Sequence, residues 1–386
     1  MRSRSTSRAR GPPSLRYVSL RARSVDVEIT PFDPKTASRD AWARYHAFRR
    51  ARHAEHSPED PIASDEKEEL AMKRDDPEGD QFLYGAVESA TGVLIGGLWM
   101  GVLKETAPSY TTNGHIAWLD VSVLGSHRRN GIGTALLRLV PELCRERGIR
   151  LLMGWVMEED GKSFARAVGA KIGSRRRENR LDLDRLDWPM VEGWARAGPA
   201  QSPGSRLRWF DGRIDDGVLN DYANVYTELM NQQPRDELDT GDFVRDAAWF
   251  RDRADRFASL GETWWTLASV EPSGSVSGLT EVIYEPEEPD RLYQGLTGVR
   301  EGQRGRGLGK WLKAEMLLRV RRELPGVRIV STWNATTNDA MLAINERLGF
   351  REHRVSEMPQ MTVEALEGWL DRADAAARGN ASPTTA

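Results

Sequence analysis

Residues Arg300 to Met316 read REGQRGRGLGKWLKAEM. The first ten hold three arginines and four glycines, and the remainder has the apolar spacing of a helix. A related string, LGSHRRNGIGTALLRLV, runs from Leu124 to Val140. The first turn of a helix leaves backbone N–H groups unpaired and carries the positive end of its dipole. Glycines there let an anion approach the backbone. Both strings therefore read as phosphate cradles. In the later one, Arg304, Arg306 and Lys310 add charge-assisted contacts suited to a pyrophosphate or a 3′-phosphate, and Leu308 anchors the turn in the core. Two other phosphate motifs fit less well. DGKSF at Gly161 has Val156 where a Walker loop needs its first glycine, and the R-x-x-G-x-G order is not the dinucleotide fingerprint G-x-G-x-x-G.

Working outward, Val123 and Val299, Arg128 and Arg304, Gly131 and Gly307, and Gly133 and Gly309 all stand at one constant offset. That marks duplication of a whole domain. Apolar alternation predicts strands at 82–89, 93–103, 115–123 and 149–157 in the first half, with a helix over 131–147. The second half repeats the order with strands at 263–271, 275–285, 291–299 and 327–334 and a helix over 307–323. Each half opens on a helical pattern, 40–54 and 216–231. The stretch RAGPAQSPGS (196–205) reads as the linker between a domain at 25–195 and one at 206–375. The arginine-rich residues 1–24 read as a disordered basic arm and 376–386 as a disordered tail.

The 386 residues are 39% hydrophobic and 29% charged, with a net charge of −3. This is ordinary globular composition with no global field for nucleic acid or a membrane. A single cysteine, Cys144, fits a reducing, cytoplasmic setting and excludes an internal disulfide. The six histidines form no ligand set, so no metal is expected. The stretch 55–80 is crowded with acids and could steer a cationic substrate, or simply be a solvated helix and loop.

Arg128-x-x-Gly131-x-Gly133 and Arg304-x-x-Gly307-x-Gly309 resemble the acyl-CoA-binding motif A of the GNAT superfamily of N-acetyltransferases. The resemblance covers most of residues 25–375 as two tandem copies, an architecture similar to that of mycothiol synthase. It implies an α+β fold: two tandem GNAT domains, each a mixed, mostly antiparallel twisted sheet flanked by helices. It also implies acetyl-CoA as co-substrate and transfer of the acetyl group to a primary amine of a small molecule or peptide, in a monomer or homodimer. Carried over residue by residue, the CoA-binding set in the second half is Val299, Arg304, Gly305, Arg306, Gly307, Leu308, Gly309, Lys310, Asn334 and Asn338; in the first it is Val123, Arg128, Arg129, Gly131, Gly133 and Thr134. The family's later helix carries N-x-x-A-x-x-x-Y-x-x-x-G-F. Asn338, Gly349 and Phe350 match it, while the tyrosine position, often the acid for the leaving thiolate, is Asn345. The first half has Glu158, Ala165 and Ala170 at the matching positions, so the second half is the expected catalytic one.

Three further side chains are candidates for the chemistry. Glu281, a carboxylate in an otherwise apolar strand, is the candidate base, since burial would raise its pKa; a solvated outward residue is the alternative. Tyr293, with Gln294, could orient the amine. Gly298 would let the thioester approach the backbone of Val299. The rival reading is a non-catalytic acyl-CoA-binding or regulatory protein.

Overall fold

The computed structural model describes residues 18–22, 25–337 and 339–379. In chain order they form β1 (Val18–Ala22), β2 (Val25–Pro31), α1 (Arg39–His56), α2 (Asp65–Lys73), β3 (Gly79–Glu88), β4 (Leu94–Leu103), α3 (Tyr110–Asn113), β5 (Ile116–Val123), α4 (Ile132–Leu137), α5 (Val140–Arg147), β6 (Leu151–Met153), α6 (Glu159–Val168) and β7 (Lys171–Asp182). There follow α7 (Trp188–Gln201), β8 (Arg206–Asp211), α8 (Asp216–Asn231), α9 (Ala247–Ser259), β9 (Thr263–Val270), β10 (Val276–Tyr284), β11 (Arg291–Val299), α10 (Leu308–Glu323), β12 (Ile329–Ala335), α11 (Asp339–Leu348), β13 (Arg351–Thr362) and α12 (Val363–Gly379). Two compact units result. One gathers residues up to Pro58 with Gln81–Met100 and Asp120–Val140; the other takes Glu59–Asp80, Gly101–Leu119 and Pro141 onward.

In the first unit, β1 to β4 lie side by side in chain order. The alternation of Val27 and Ile29, both buried, turns one face of β2 to the core. Ser38 caps α1 by accepting from the Ala41 amide at 3.2 Å, and Trp42 and Phe48 bury that helix. Bare Gly96 lets α4 come close to β4, since a Cβ there would lie 3.1 Å from Ile132 Cγ2. Val18–Ala22 corrects part of the expected disordered arm: the segment pairs antiparallel with β2, its Val-Ser-Leu-Arg-Ala alternation suiting a strand. The rest of the arm lies outside the described residues.

The second unit is built on a sheet ordered β6-β13-β7-β12-β11-β10-β9-β8, with Ile116–Trp118 of β5 running parallel to β6. Successive residues of β9 feed two cores. Trp265 and Leu267 join Leu312, Leu317 and Phe350, while Trp264 and Ala268 join Tyr222, Phe250 and Phe257. The strand order interleaves the two halves of the chain. β7 pairs with β12 from Ile329↔Asp182 to Ala335↔Arg176, and β13 lies between β7 and β6. The halves are thus consecutive in sequence but not separate in hydrogen bonding.

The expected linker is helical through Gln201. α7 runs into it because Gly198 carries no side chain, and the Trp311 ring of α10 occupies the space a Cβ would need. The expected tail is likewise helical as far as Gly379, and the residues after it lie outside the described set. The helix predicted over 131–147 is interrupted at Arg138–Leu139, where Pro141 has no N–H to offer Leu137.

The acidic stretch is engaged within the second unit. Ser64 donates its N–H and hydroxyl to Glu287, each at 2.7 Å; Lys67 meets Glu262 and Glu285; Arg74 meets Asp252; and Glu78 receives Arg245 at 2.7 Å. Of its acids, Asp60, Glu78 and Asp80 are spent on pairing with arginines, which weakens the substrate-steering expectation. Among the described residues no helix is long and apolar enough to cross a membrane.

Candidate functional site

The two cradles are built alike. In the first, Arg128 Nε donates to the Val123 carbonyl at 3.1 Å, and its Nη2 reaches Glu55 at 3.3 Å and His56 at 3.1 Å. In the second, Arg304 Nε donates to the Val299 carbonyl at 3.2 Å and its Nη2 to Gln232 at 2.6 Å. Each arginine ties the end of its strand to the end of its half's leading helix. Gly131 and Gly307 both start their helix with positive φ, 85° and 76°. Two residues earlier, Arg129 has φ 64° and Gly305 φ 80°. An arginine in this left-handed region costs on the order of 1 kcal/mol, and the first cradle alone bears that cost.

Their surroundings differ. A Cβ on Gly131 would meet nothing within 4 Å, whereas at Gly307 it would run into the side chain of Gln201. Gly133 and Thr134 lie in the first turn of α4, which is only six residues long; α10 has sixteen. At the second cradle the α7 end and the turn after it supply several contacts. Ser202 Oγ donates to the Arg306 carbonyl at 2.7 Å, and Arg306 pairs with Glu271 at 3.2 Å and donates to Ser205 at 2.9 Å. Lys310 lies over the Trp194 ring at 5.6 Å. Arg306 and Lys310, read from sequence as phosphate contacts, are therefore held by protein groups. Leu308 is 1% exposed, in the core. Gly309 leaves room toward Val299 and Ile344.

β11 and β12 run parallel over only three pairs, Arg291↔Ile329 to Tyr293↔Ser331, and then part. The gap they open leads to the Arg304–Gly309 loop. Gln294 and Thr297 are joined at its base by a 2.8 Å hydrogen bond, and Thr332 donates to the Gln294 carbonyl at 3.0 Å. Tyr293 stands at the last paired position and is 43% exposed. Gly298 serves packing here: a Cβ would lie 3.0 Å from Leu229.

Glu281 is buried as expected, but it is enclosed by donors and paired with an arginine. Its carboxylate accepts from Tyr226 at 3.2 Å, Trp264 at 3.0 Å, the Leu296 amide at 3.2 Å and Arg253 at 3.2 Å. Three of these donors crowd Oε1, one of them a guanidinium that compensates the buried charge, and Trp264 alone meets Oε2. Burial and the nearby Glu281 charge push the Tyr226 hydroxyl well above its ordinary pKa, so it stays protonated.

Asn345 is 1% exposed and belongs to a chain the sequence reading missed. Lys313 Nζ donates to Asn345 Oδ1 at 3.0 Å, and Asn345 Nδ2 donates to Asn334 Oδ1 at 3.0 Å. Lys313 lies over the Phe350 ring, and burial pushes its amine down to about 7. The signal was present: Gly309, Lys313, Met316 and Val320 share one apolar face of α10. Asn338 lies outside the described residues.

Glu59, Asp60 and His353 come close enough to be compared with a metal site. Asp60, however, pairs with Arg180, Arg291 and Arg354, whose charges outweigh its burial and hold its carboxyl below the usual range. Three guanidiniums around one carboxylate disfavour a dication.

The fold is that of tandem GNAT proteins. The chain is similar to a tandem GNAT protein from the clavulanic acid biosynthesis pathway, with TM-score 0.69 and 24% identity over 87% of this chain and 98% of that one. It is also similar to a GCN5-related N-acetyltransferase from Sphaerobacter thermophilus, with TM-score 0.59 and 14% identity over 87% and 95% of the two chains. Residues 43–168 match the family model described as Acetyltransferase (GNAT) family, a span that contains the first cradle. No curated protein matches the chain.

Proposed function

We propose that the chain is an acyl-CoA-dependent N-acyltransferase, with acetyl-CoA as donor and a primary amine of a small molecule or peptide as acceptor. In this reading both cradles accept the pyrophosphate of CoA and the second half carries the reaction. The observation that supports it is the parting of β11 from β12 after Tyr293 and Ser331, directly ahead of the Arg304–Gly309 loop. The pantetheine arm would enter that gap, with its thioester near Val299. The amine would attack directly in a ternary complex, the gap holding the two reactants in line. Tyr293, exposed at the last paired position, would orient it. In this reading Glu281 holds the core together rather than serving as the base, since it is 1% exposed and paired with Arg253; a solvent water is the proton acceptor consistent with the exposed side of the gap.

The test is turnover of acetyl-CoA with a panel of amines, read as thiol release. Release that disappears in Gly307→Asp but survives in Gly131→Asp supports the assignment. Survival in Gly307→Asp refutes the role given to the second half. One set of observations favours the non-catalytic alternative: an amide stands at the position of the acid, and Arg306 and Lys310 are engaged by protein. Binding of CoA without thiol release across the panel would establish it.

A further inference from the structure

The polar chain inside the second half runs in one direction. A lysine ammonium only donates, so Asn345 must turn its oxygen toward Lys313. Its Nδ2 then faces Asn334, which must accept through Oδ1. That leaves the Asn334 Nδ2 hydrogens, which have no acceptor among the described residues. Asn334 sits in the part of β12 that has left β11. The matching positions of the first half, Leu137 and Ala165, are apolar, so the chain belongs to the second half alone.

Resting on the reading above, we propose that Lys313 is a positioning residue: through Asn345 it fixes the Asn334 carboxamide so that its N–H groups meet an amide or thioester carbonyl of an acyl-pantetheine arm. Burial is the cause found for the lowered Lys313 amine, with no acid beside it. The charged residues nearby on the packed elements are directed elsewhere. Lys310 and Arg347 lie over the Trp194 ring of α7, Glu315 accepts from Trp311, and Glu346 is exposed. Loss of the lysine proton removes the enforced direction, because a neutral amine both donates and accepts. Carbonyl recognition is therefore expected to weaken as pH rises through about 7.

Calorimetry on the full chain carrying Gly131→Asp, so that the second cradle reports, compares CoA with adenosine 3′,5′-bisphosphate, which lacks the pantetheine arm. Lys313→Met is expected to weaken CoA about two- to twelve-fold, the worth of one lost hydrogen bond, and to leave the bisphosphate unchanged. In the chain with Lys313 intact, the ratio of the two affinities should fall between pH 6 and pH 8; in Lys313→Met it should be flat. Equal weakening of both ligands, or no weakening of either, overturns the inference while leaving the acyl-CoA reading intact. Absence of any binding with Lys313 intact overturns that reading and this inference with it. If Lys313→Met does not fold, the pH series on the chain retaining Lys313 decides alone.

Discussion

Replacing Lys313 by methionine should stabilise the protein at neutral pH, and by an amount that depends on pH. Burial lowers the amine from 10.5 to about 7 in the folded chain. The folded value lies below the unfolded one, so between those two values the unfolded chain holds the extra proton. Stability therefore rises with pH across that window and is flat below it. Near pH 7 the buried amine costs roughly 4 kcal/mol relative to an unperturbed lysine, and near pH 9 roughly 2. Methionine has a similar length and no charge, but it leaves Asn345 Oδ1 without its donor, at about 1–3 kcal/mol. The net expectation is a gain of about 1–3 kcal/mol near pH 7 that falls by about 2 kcal/mol near pH 9. Parallel urea titrations at the two pH values, followed by tryptophan fluorescence, measure it. The difference between the variant and the native chain cancels every other titrating group. If that difference is the same at both pH values, the lysine is not neutralised by burial and the reasoning fails.

Three other outcomes are expected. Glu281→Gln should cost about 3–5 kcal/mol in unfolding free energy by stranding the Arg253 charge, yet leave the pH profile of acyl transfer in place; a folded variant that loses its acid limb would return Glu281 to the role of base. Gln201→Ala should tighten bisphosphate binding at the second cradle about two- to five-fold, by removing a side chain that competes for Gly307, and weaker binding would show that Gln201 assists. Gly131→Asp and Gly307→Asp should each remove one bisphosphate site in native mass spectrometry, because each places a carboxylate where a phosphate must sit; loss of both sites in either variant would mean that the cradles are not independent.

Much of the fold could be read from the sequence because the relevant signals are local. The strands at 263–270, 276–284 and 291–299 and the helix at 308–323 carry their own apolar period, and the cradle loops their own glycines. β7 could not be read this way. Its Arg-Arg-Arg-Glu-Asn-Arg run has no apolar alternation, and charge pairing supports its place in the sheet: Glu178 is 2% exposed and accepts from Arg180 of its own strand at 2.8 Å and, across the sheet, from Arg354 of β13. Such pairing depends on a strand far along the chain. The same holds at the site. Glycine and arginine spacing located the cradles, but whether Arg306 is free for a phosphate depends on Glu271 and Ser205, and whether Glu281 is free for a proton depends on Arg253 and Tyr226. Those partners come from other elements, so no local pattern announces them.

The place of β13 sets a schedule for synthesis. β6 and β7 emerge early, but the strand that joins them, Arg351–Thr362, is made only after the whole segment from Leu183 to Phe350. At ordinary translation speed they wait roughly ten to thirty seconds. Until then each shows an unpaired edge, the kind of surface that recruits stray strands. The arginine-dense β7 is suited to that wait, since like charges on an open edge repel a second copy of the same nascent chain. A release or pause before Arg351 should therefore leave both strands without their shared partner, and holdase chaperones should be found on products that stop there.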